Sequence, residues 1–150
     1  MIEELKELLF SQNFETRKNV HFPLIDKIEV LLKNKGYLTK KENPISFITK
    51  RVIDSKEIAR NGYSDLYGIK NETRIAIEFD SGSHLKFKSI EKLLQSNASI
   101  CIGIILGNKR NLEIINENMG RISSRLEFLN SNKKEFWLFI ISEKFAKKVF

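Results

Sequence analysis

The sequence predicts an α/β domain with a mixed β-sheet flanked by helices, on three observations. First, Ser99–Leu106 is short, β-branched and apolar on both faces, the pattern of a strand buried in the middle of a sheet. Second, Arg74–Asp80, Leu85–Gln95 and Ser99–Leu106 form a strand–helix–strand unit, whose crossover implies a parallel pair. Third, Tyr63–Ile69 and Arg74–Asp80 are joined by the polar link Lys70-Asn71-Glu72-Thr73, a tight turn that implies an antiparallel pair. Parallel and antiparallel neighbours around one strand make the sheet mixed.

The remaining elements follow in chain order. Met1–Phe10 reads as a short amphipathic helix, and Phe14–Phe22 as a polar, basic connection. Pro23 suits the first turn of the next helix, where its missing N–H has no intrahelical partner to lose. Leu24, Ile25, Ile28, Leu31 and Leu32 recur at helical spacing, and Gly36 is placed as the residue after the cap. Tyr37–Lys41 enters a strand, and Pro44–Asp54 reads as a half-exposed strand. Ser81-Gly82-Ser83 breaks the chain before the helix Leu85–Gln95. Leu112–Leu129 is a helix with Leu112, Ile115, Met119, Ile122 and Leu126 inward. Phe136–Ile141 is a last strand, followed by a short basic tail.

The chain has 150 residues, which is one ordinary domain. The expected core runs from about residue 23 to 142, with 1–22 and 143–150 as extensions. At 41% hydrophobic and 30% charged, the composition is globular and not disordered. Lys and Arg outnumber Asp and Glu by 26 to 19, for a net charge of +7, which favours a polyanionic partner, nucleic acid first. A single cysteine, Cys101, excludes a disulfide framework and a cysteine-based zinc site, and suggests a reducing compartment. No apolar stretch approaches the roughly 20 residues of a membrane span, and the acidic N-terminus does not read as a signal peptide. The expectation is a cytoplasmic protein without a membrane partner.

The carboxylates of the central hairpin carry the functional signal. With a turn of two or four residues, Ile69 opposes Arg74, Tyr67 opposes Ala76 and Asp65 opposes Glu78. Directly opposed like charges destabilise a sheet unless one is protonated or a cation lies between them. The period of two then puts Asp80 on the same face as Glu78. Aspartate is disfavoured in strands, and the chain has only four: Asp26, Asp54, Asp65 and Asp80. Two of these lie in strands, within Tyr-Ser-Asp-Leu-Tyr and Ile-Glu-Phe-Asp. A cluster of hard oxygen donors suits Mg²⁺ or Mn²⁺. The competing reading is a solvated face, or pairing with Arg74 and nearby lysines.

The order strand, Asp, turn, strand, Glu-x-acid, helix, buried strand resembles the PD-(D/E)XK nuclease superfamily, the restriction-endonuclease-like fold. The matching residues are Gly62-Tyr-Ser-Asp65-Leu, Ile77-Glu78-Phe-Asp80, Lys88-Ser-Ile-Glu91-Lys92-Leu and Cys101-Ile-Gly-Ile-Ile. The helix ending in Lys35-Gly36-Tyr37 is similar to that family's first helix. The resemblance spans about Pro23 to Leu106. It implies a divalent cation, Mg²⁺ or Mn²⁺, on Asp65 and Glu78, and hydrolysis of phosphodiester bonds, of DNA before RNA. The family's third position is usually a lysine, and here it is Asp80, a further ligand or proton acceptor. A lysine supplied by the following helix is the other option the resemblance allows, so Lys92 and Lys88 are candidates. Some members also use a glutamate of the first helix, for which Glu29 stands, unless it simply pairs with Lys33.

Around such a site, Lys40, Lys41, Lys50 and Arg51 are candidate nucleic-acid contacts, with Arg17, Lys18, Lys133, Lys134, Lys144, Lys147 and Lys148 as further cations. Tyr37, Phe47 and Tyr63 are candidate base-stacking residues or core. His84, after the acids, is a candidate phosphate contact or proton donor. Two-strand cutting would favour a homodimer, for which the apolar residues of Phe145–Phe150 offer an interface. The alternatives are a catalytically inactive nucleic-acid-binding module, favoured by the missing motif lysine, and a regulatory subunit whose acids meet a basic partner.

Overall fold

A computed structural model describes residues 1–14, 19–50, 53–107, 113–129 and 134–150. Among the described residues, four helices and six strands follow in the order α1 (Ile2–Phe10), α2 (His21–Asn34), β1 (Leu38–Lys50), β2 (Glu57–Lys70), β3 (Thr73–Asp80), α3 (Phe87–Gln95), β4 (Ile100–Ile105), α4 (Ile114–Leu129), β5 (Glu135–Ile140) and β6 (Phe145–Lys148). The strands form one mixed sheet in the order β1-β2-β3-β4-β5-β6. β3, β4 and β5 run parallel; β1, β2 and β3 are an antiparallel meander, and β6 returns antiparallel to β5. No helix among the described residues is long and apolar enough to cross a membrane.

Local chemistry sets the ends of α2. Pro23 falls in its first turn, as expected. At the other end Gly36 has φ +86°, its N–H donates to the Lys33 carbonyl at 2.9 Å, and the Tyr37 N–H donates to the Leu32 carbonyl at 3.0 Å. This pair of bonds is a Schellman cap, and it turns the chain directly into β1.

Alternation along the strands builds two cores. Ile75, Ile77 and Phe79 of β3, with Ile102 and Ile104 of β4, face α1 and α2. Ala76 of β3, with Cys101 and Ile105 of β4, faces α3 and α4. Gly103 lies on this second face, where an added Cβ would come 2.5 Å from Leu85 Cδ2.

Two expectations change. Tyr37–Lys41 and Pro44–Asp54 are not separate strands: β1 runs unbroken from Leu38 to Lys50. It can pass through Pro44 because β1 is an edge strand. The Ile48 N–H and C=O face away from β2 and bond the Gln95 side chain at 2.7 and 2.8 Å, and Pro44, four residues back, turns its missing N–H to the same open edge. The short basic tail is instead a sixth strand of the sheet. β6 pairs with β5, Val149 N–H donates to the Phe136 carbonyl at 2.7 Å, and Phe145, Val149 and Phe150 pack on the α3–α4 core. Those apolar side chains are thus used within the chain. Leu112 and the cations Arg17, Lys18, Arg51 and Lys133 lie outside the described residues.

The β1–β2 hairpin is longer than the rest of the sheet, and it bends. β2 pairs with β3 only from Leu66 to Lys70, and pairing with β1 skips the Glu42–Asp65 position. Glu42 there has φ +49°, a backbone conformation few side chains adopt. The bend shifts the alternation by one residue. Tyr67 faces α3 before it, whereas Ile45, Phe47 and Thr49 face α3 beyond it. Residues 43–50 and 57–64 thereby become an arm resting on α3.

Gly103→Ala is expected to destabilise the protein by about 1–3 kcal/mol through overpacking against Leu85, read as a lower midpoint in urea unfolding.

Candidate active site

Asp65 sits where β2 leaves β3. Its Oδ2 accepts the Phe79 N–H at 2.7 Å, in place of a strand-to-strand backbone bond. Its Oδ1 lies 3.0 Å from His21 Nε2, at the start of α2. The His21 ring also lies against Phe79, with centroids 5.7 Å apart. The expected register holds where the ladder is formed, with Ile69 opposite Arg74 and Tyr67 opposite Ala76. Asp65 and Glu78 stand at the next open position of that ladder.

Glu78 is 3% exposed. Lys92 Nζ is 2.7 Å from its Oε1, while donating a hydrogen bond to the Tyr63 carbonyl at 2.8 Å. Oε1 itself is buried without a well-directed hydrogen bond. Burial first, then the charge of Asp65 and more weakly that of Asp80, push the Glu78 carboxyl up to about 8, against the opposing pull of Lys92.

Asp80 shares the face of Glu78 and closes the turn into α3. Its Oδ2 accepts the Lys86 N–H at 2.9 Å and its Oδ1 lies 3.4 Å from Lys86 Nζ. Asp65, Glu78, Asp80, Lys88, Lys92 and His21 line one cleft of about 350 Å³. It opens at the carboxyl end of β3, where ligands of open α/β sheets gather.

The sequence candidates divide as follows. Asp65, Glu78 and Asp80 converge, and Lys92 touches Glu78. Lys88 lines the cleft from an exposed position. Glu29 is not brought to it: it accepts from Thr39 Oγ1 at 2.8 Å and lies 3.1 Å from Lys33 and 3.3 Å from Lys41. Lys41 faces α2 and also pairs with Asp26, so its charge is already met on that side. Lys40, its neighbour, points to the opposite face and is exposed. The side chain of Lys50 and all of Arg51 lie outside the described residues. His84 bonds Glu117 and Ser83 outside the cleft lining. Phe47 is core, Tyr37 packs half-buried against the α1–α2 core, and Tyr63 is 60% exposed.

His21 was not legible as a site residue. It is separated from Asp65 by the rest of α2, all of β1 and the first half of β2, and no spacing rule links them. The polar face of α3 (Lys88, Glu91, Lys92, Gln95) is only partly open. The arm covers Glu91, which accepts from Thr49 Oγ1 at 3.1 Å, and engages Gln95 and Lys92. Gly62 makes room for this, since a Cβ there would meet Lys92 Cδ and Phe47 Cε1 at 3.2 Å.

Among the described residues, no three His, Cys, Asp or Glu side chains already form a group able to hold a metal ion. Each carboxylate is instead held by a protein group: Asp65 by His21 and Phe79, Glu78 by Lys92, Asp80 by Lys86. Comparison of the chain with family models, with curated proteins and with solved structures finds no match in any of the three.

Because the folded chain raises the Glu78 carboxyl from 4.5 to about 8, it binds that proton more tightly than the unfolded chain. This contribution to stability is complete below the unfolded value and fades as pH rises through about 8. In chelator, the melting temperature of wild type is expected to fall with rising pH across that window, and the fall should be much smaller in Glu78→Gln. Parallel curves for the two proteins would show that another group titrates.

Proposed function

We propose that the chain is a divalent-metal-dependent nuclease of the PD-(D/E)XK kind, hydrolysing phosphodiester bonds of nucleic acid, DNA before RNA. The observation that carries this reading is a buried carboxylate, Glu78, facing Asp65 and a lysine in an open cleft. The element order αβββαβ from α2 to β4 agrees with the restriction-endonuclease-like arrangement.

The donor set fits a hard cation. It offers carboxylate oxygens from Asp65 and Glu78, with Asp80 and the His21 imidazole beside them, and no thiolate. The poorly satisfied Oε1 of Glu78 gains a partner on loading, in exchange for its contact with Lys92. A bound Mg²⁺ or Mn²⁺ would supply Lewis acidity toward a phosphate oxygen and lower the pKa of a coordinated water.

The chain's own residues then have distinct tasks. The Phe79 N–H and His21 fix the rotamer of Asp65. Lys92, 12% exposed and anchored on the Tyr63 carbonyl, presents an ammonium to the negative charge that develops on a phosphate under attack. Lys88 and Lys86 at the cleft mouth attract the incoming polyanion.

Calorimetric titration with Mn²⁺ and Mg²⁺ checks this, followed by cleavage assays on DNA and RNA panels. Wild type is expected to bind the cation and cut. Asp65→Asn and Glu78→Gln should each lose cation binding and lower cleavage by at least about 100-fold, a cost of about 2.7 kcal/mol in transition-state stabilisation. Lys92→Met should retain the cation and lose a similar factor in rate. Cation affinity should also rise with pH up to about 8, because the ion displaces the Glu78 proton. If no cation binds even beside a non-cleavable oligonucleotide, the Glu78–Lys92 ion pair is the finished state of the site. The inactive nucleic-acid-binding module would then be the correct reading.

A further inference from the structure

We propose that the same sheet face carries a second site, a pocket for a nucleoside phosphate at the far end of α3 from the carboxylates. Cross-strand pairing builds its floor. Leu38 pairs with Ile69, Lys40 with Tyr67, and Ile69 with Arg74, so all five side chains share the face of Ala76 and Glu78. With Asn43 and Asn97 they line a hollow of about 330 Å³. That volume lies at the lower end of small-ligand pockets.

The lining has two cations and no carboxylate. Lys40 and Arg74 are exposed, and neither has an ion-pair partner among the described residues. The contrast with Lys41 is direct. One residue along β1, on the other face, it is matched by Asp26 and Glu29. An anion in the hollow would meet two cations that no carboxylate of the lining neutralises.

The other walls select what the anion belongs to. The Tyr67 hydroxyl donates to Asn97 Oδ1, which leaves the Asn97 Nδ2 hydrogens free to donate elsewhere. Leu38 and Ile69 add exposed apolar surface beside the cations. Carboxamides next to apolar walls suit a flat heterocycle with polar edges, and the cations suit its phosphate. Inorganic phosphate alone would leave the apolar part unused.

Arg74 is four residues from Glu78 along β3, about 13 Å at the rise of a strand. A nucleotide in this pocket therefore has two sources: a free mononucleotide, or a unit of a strand that also reaches the cleft. The pocket shares no residue with the cleft and does not rest on the nuclease reading.

The test titrates the full chain, in chelator so that nothing is cut, with thymidine, thymidine 5′-monophosphate, inorganic phosphate and a twelve-residue oligothymidylate. The proteins are wild type, Lys40→Gln/Arg74→Gln and Asp65→Asn. Amide chemical shifts locate the binding without relying on any variant. If the site takes free nucleotides, the monophosphate binds more tightly than thymidine or inorganic phosphate and shifts Asn43, Tyr67 and Asn97. If it holds part of a strand, only the oligonucleotide binds. In either case the double variant should lose at least about tenfold, and its oligonucleotide salt slope should become shallower by about 1.4 for two phosphate contacts. Asp65→Asn should bind the monophosphate like wild type, since Asp65 does not line this pocket. Equal affinities in wild type and the double variant, or shifts confined to Ser81–Ser89, would overturn the pocket. Absence of cation binding in the calorimetric titration, with nucleotide binding intact in chelator, would refute only the nuclease reading.

Discussion

The hydrogen bond from the Phe79 amide to the Asp65 carboxylate is the constraint on which the rest of this architecture depends. It lies where β2 stops pairing with β3, and it substitutes a side-chain oxygen for a carbonyl of the departing strand. The substitution satisfies a backbone donor that would otherwise be stranded at the split. It also fixes Asp65 at the cleft. Beyond this point the hairpin is free of β3 and can swing onto α3, carrying Tyr63 to Lys92 and Thr49 to Glu91. Cleft and arm are thus consequences of one bend.

Electrostatics divide the α3 side of the sheet along its length. Glu78 and Asp80 lie toward the carboxyl end of β3, and Arg74, on the same face, lies at the start of the strand. Lys40 adds to the positive end. Burial and the neighbouring acids hold Glu78 well above its ordinary titration range, which moderates the negative end, while the positive end stays solvated. Lys40, Arg74, Lys86 and Lys88 together make the potential along this face more favourable to anions.

Much of the fold was legible because it rests on local rules. The period of two in Arg74–Asp80, the Schellman glycine at 36 and the both-face apolar run at 99–106 each report a neighbour relation within a few residues. The register of the β2–β3 hairpin followed from its turn, and so did the approach of Asp65 to Glu78. The tail misled for a physical reason. Phe145–Lys148 reads as basic and short, and it becomes a strand only because β5 presents an open edge to it. Pro44 misled likewise, since proline interrupts a central strand but not an edge one.

The helices, the parallel crossover and the pair of acids at the end of β3 could be read from the residues alone, because periodicity, turn length and capping act over one or two turns of chain. Packing between distant elements settled which polar groups meet. It turned Glu29 and Lys41 toward each other and away from the cleft, brought His21 to Asp65, and aimed Lys92 rather than Lys88 at Glu78. Those choices depend on the shift in alternation at Glu42 and Asp65 and on the packing angle of the arm against α3. Both are set by contacts between residues 29 to 47 positions apart, Tyr63 with Lys92 and Ile48 with Gln95 among them, for which no local pattern exists.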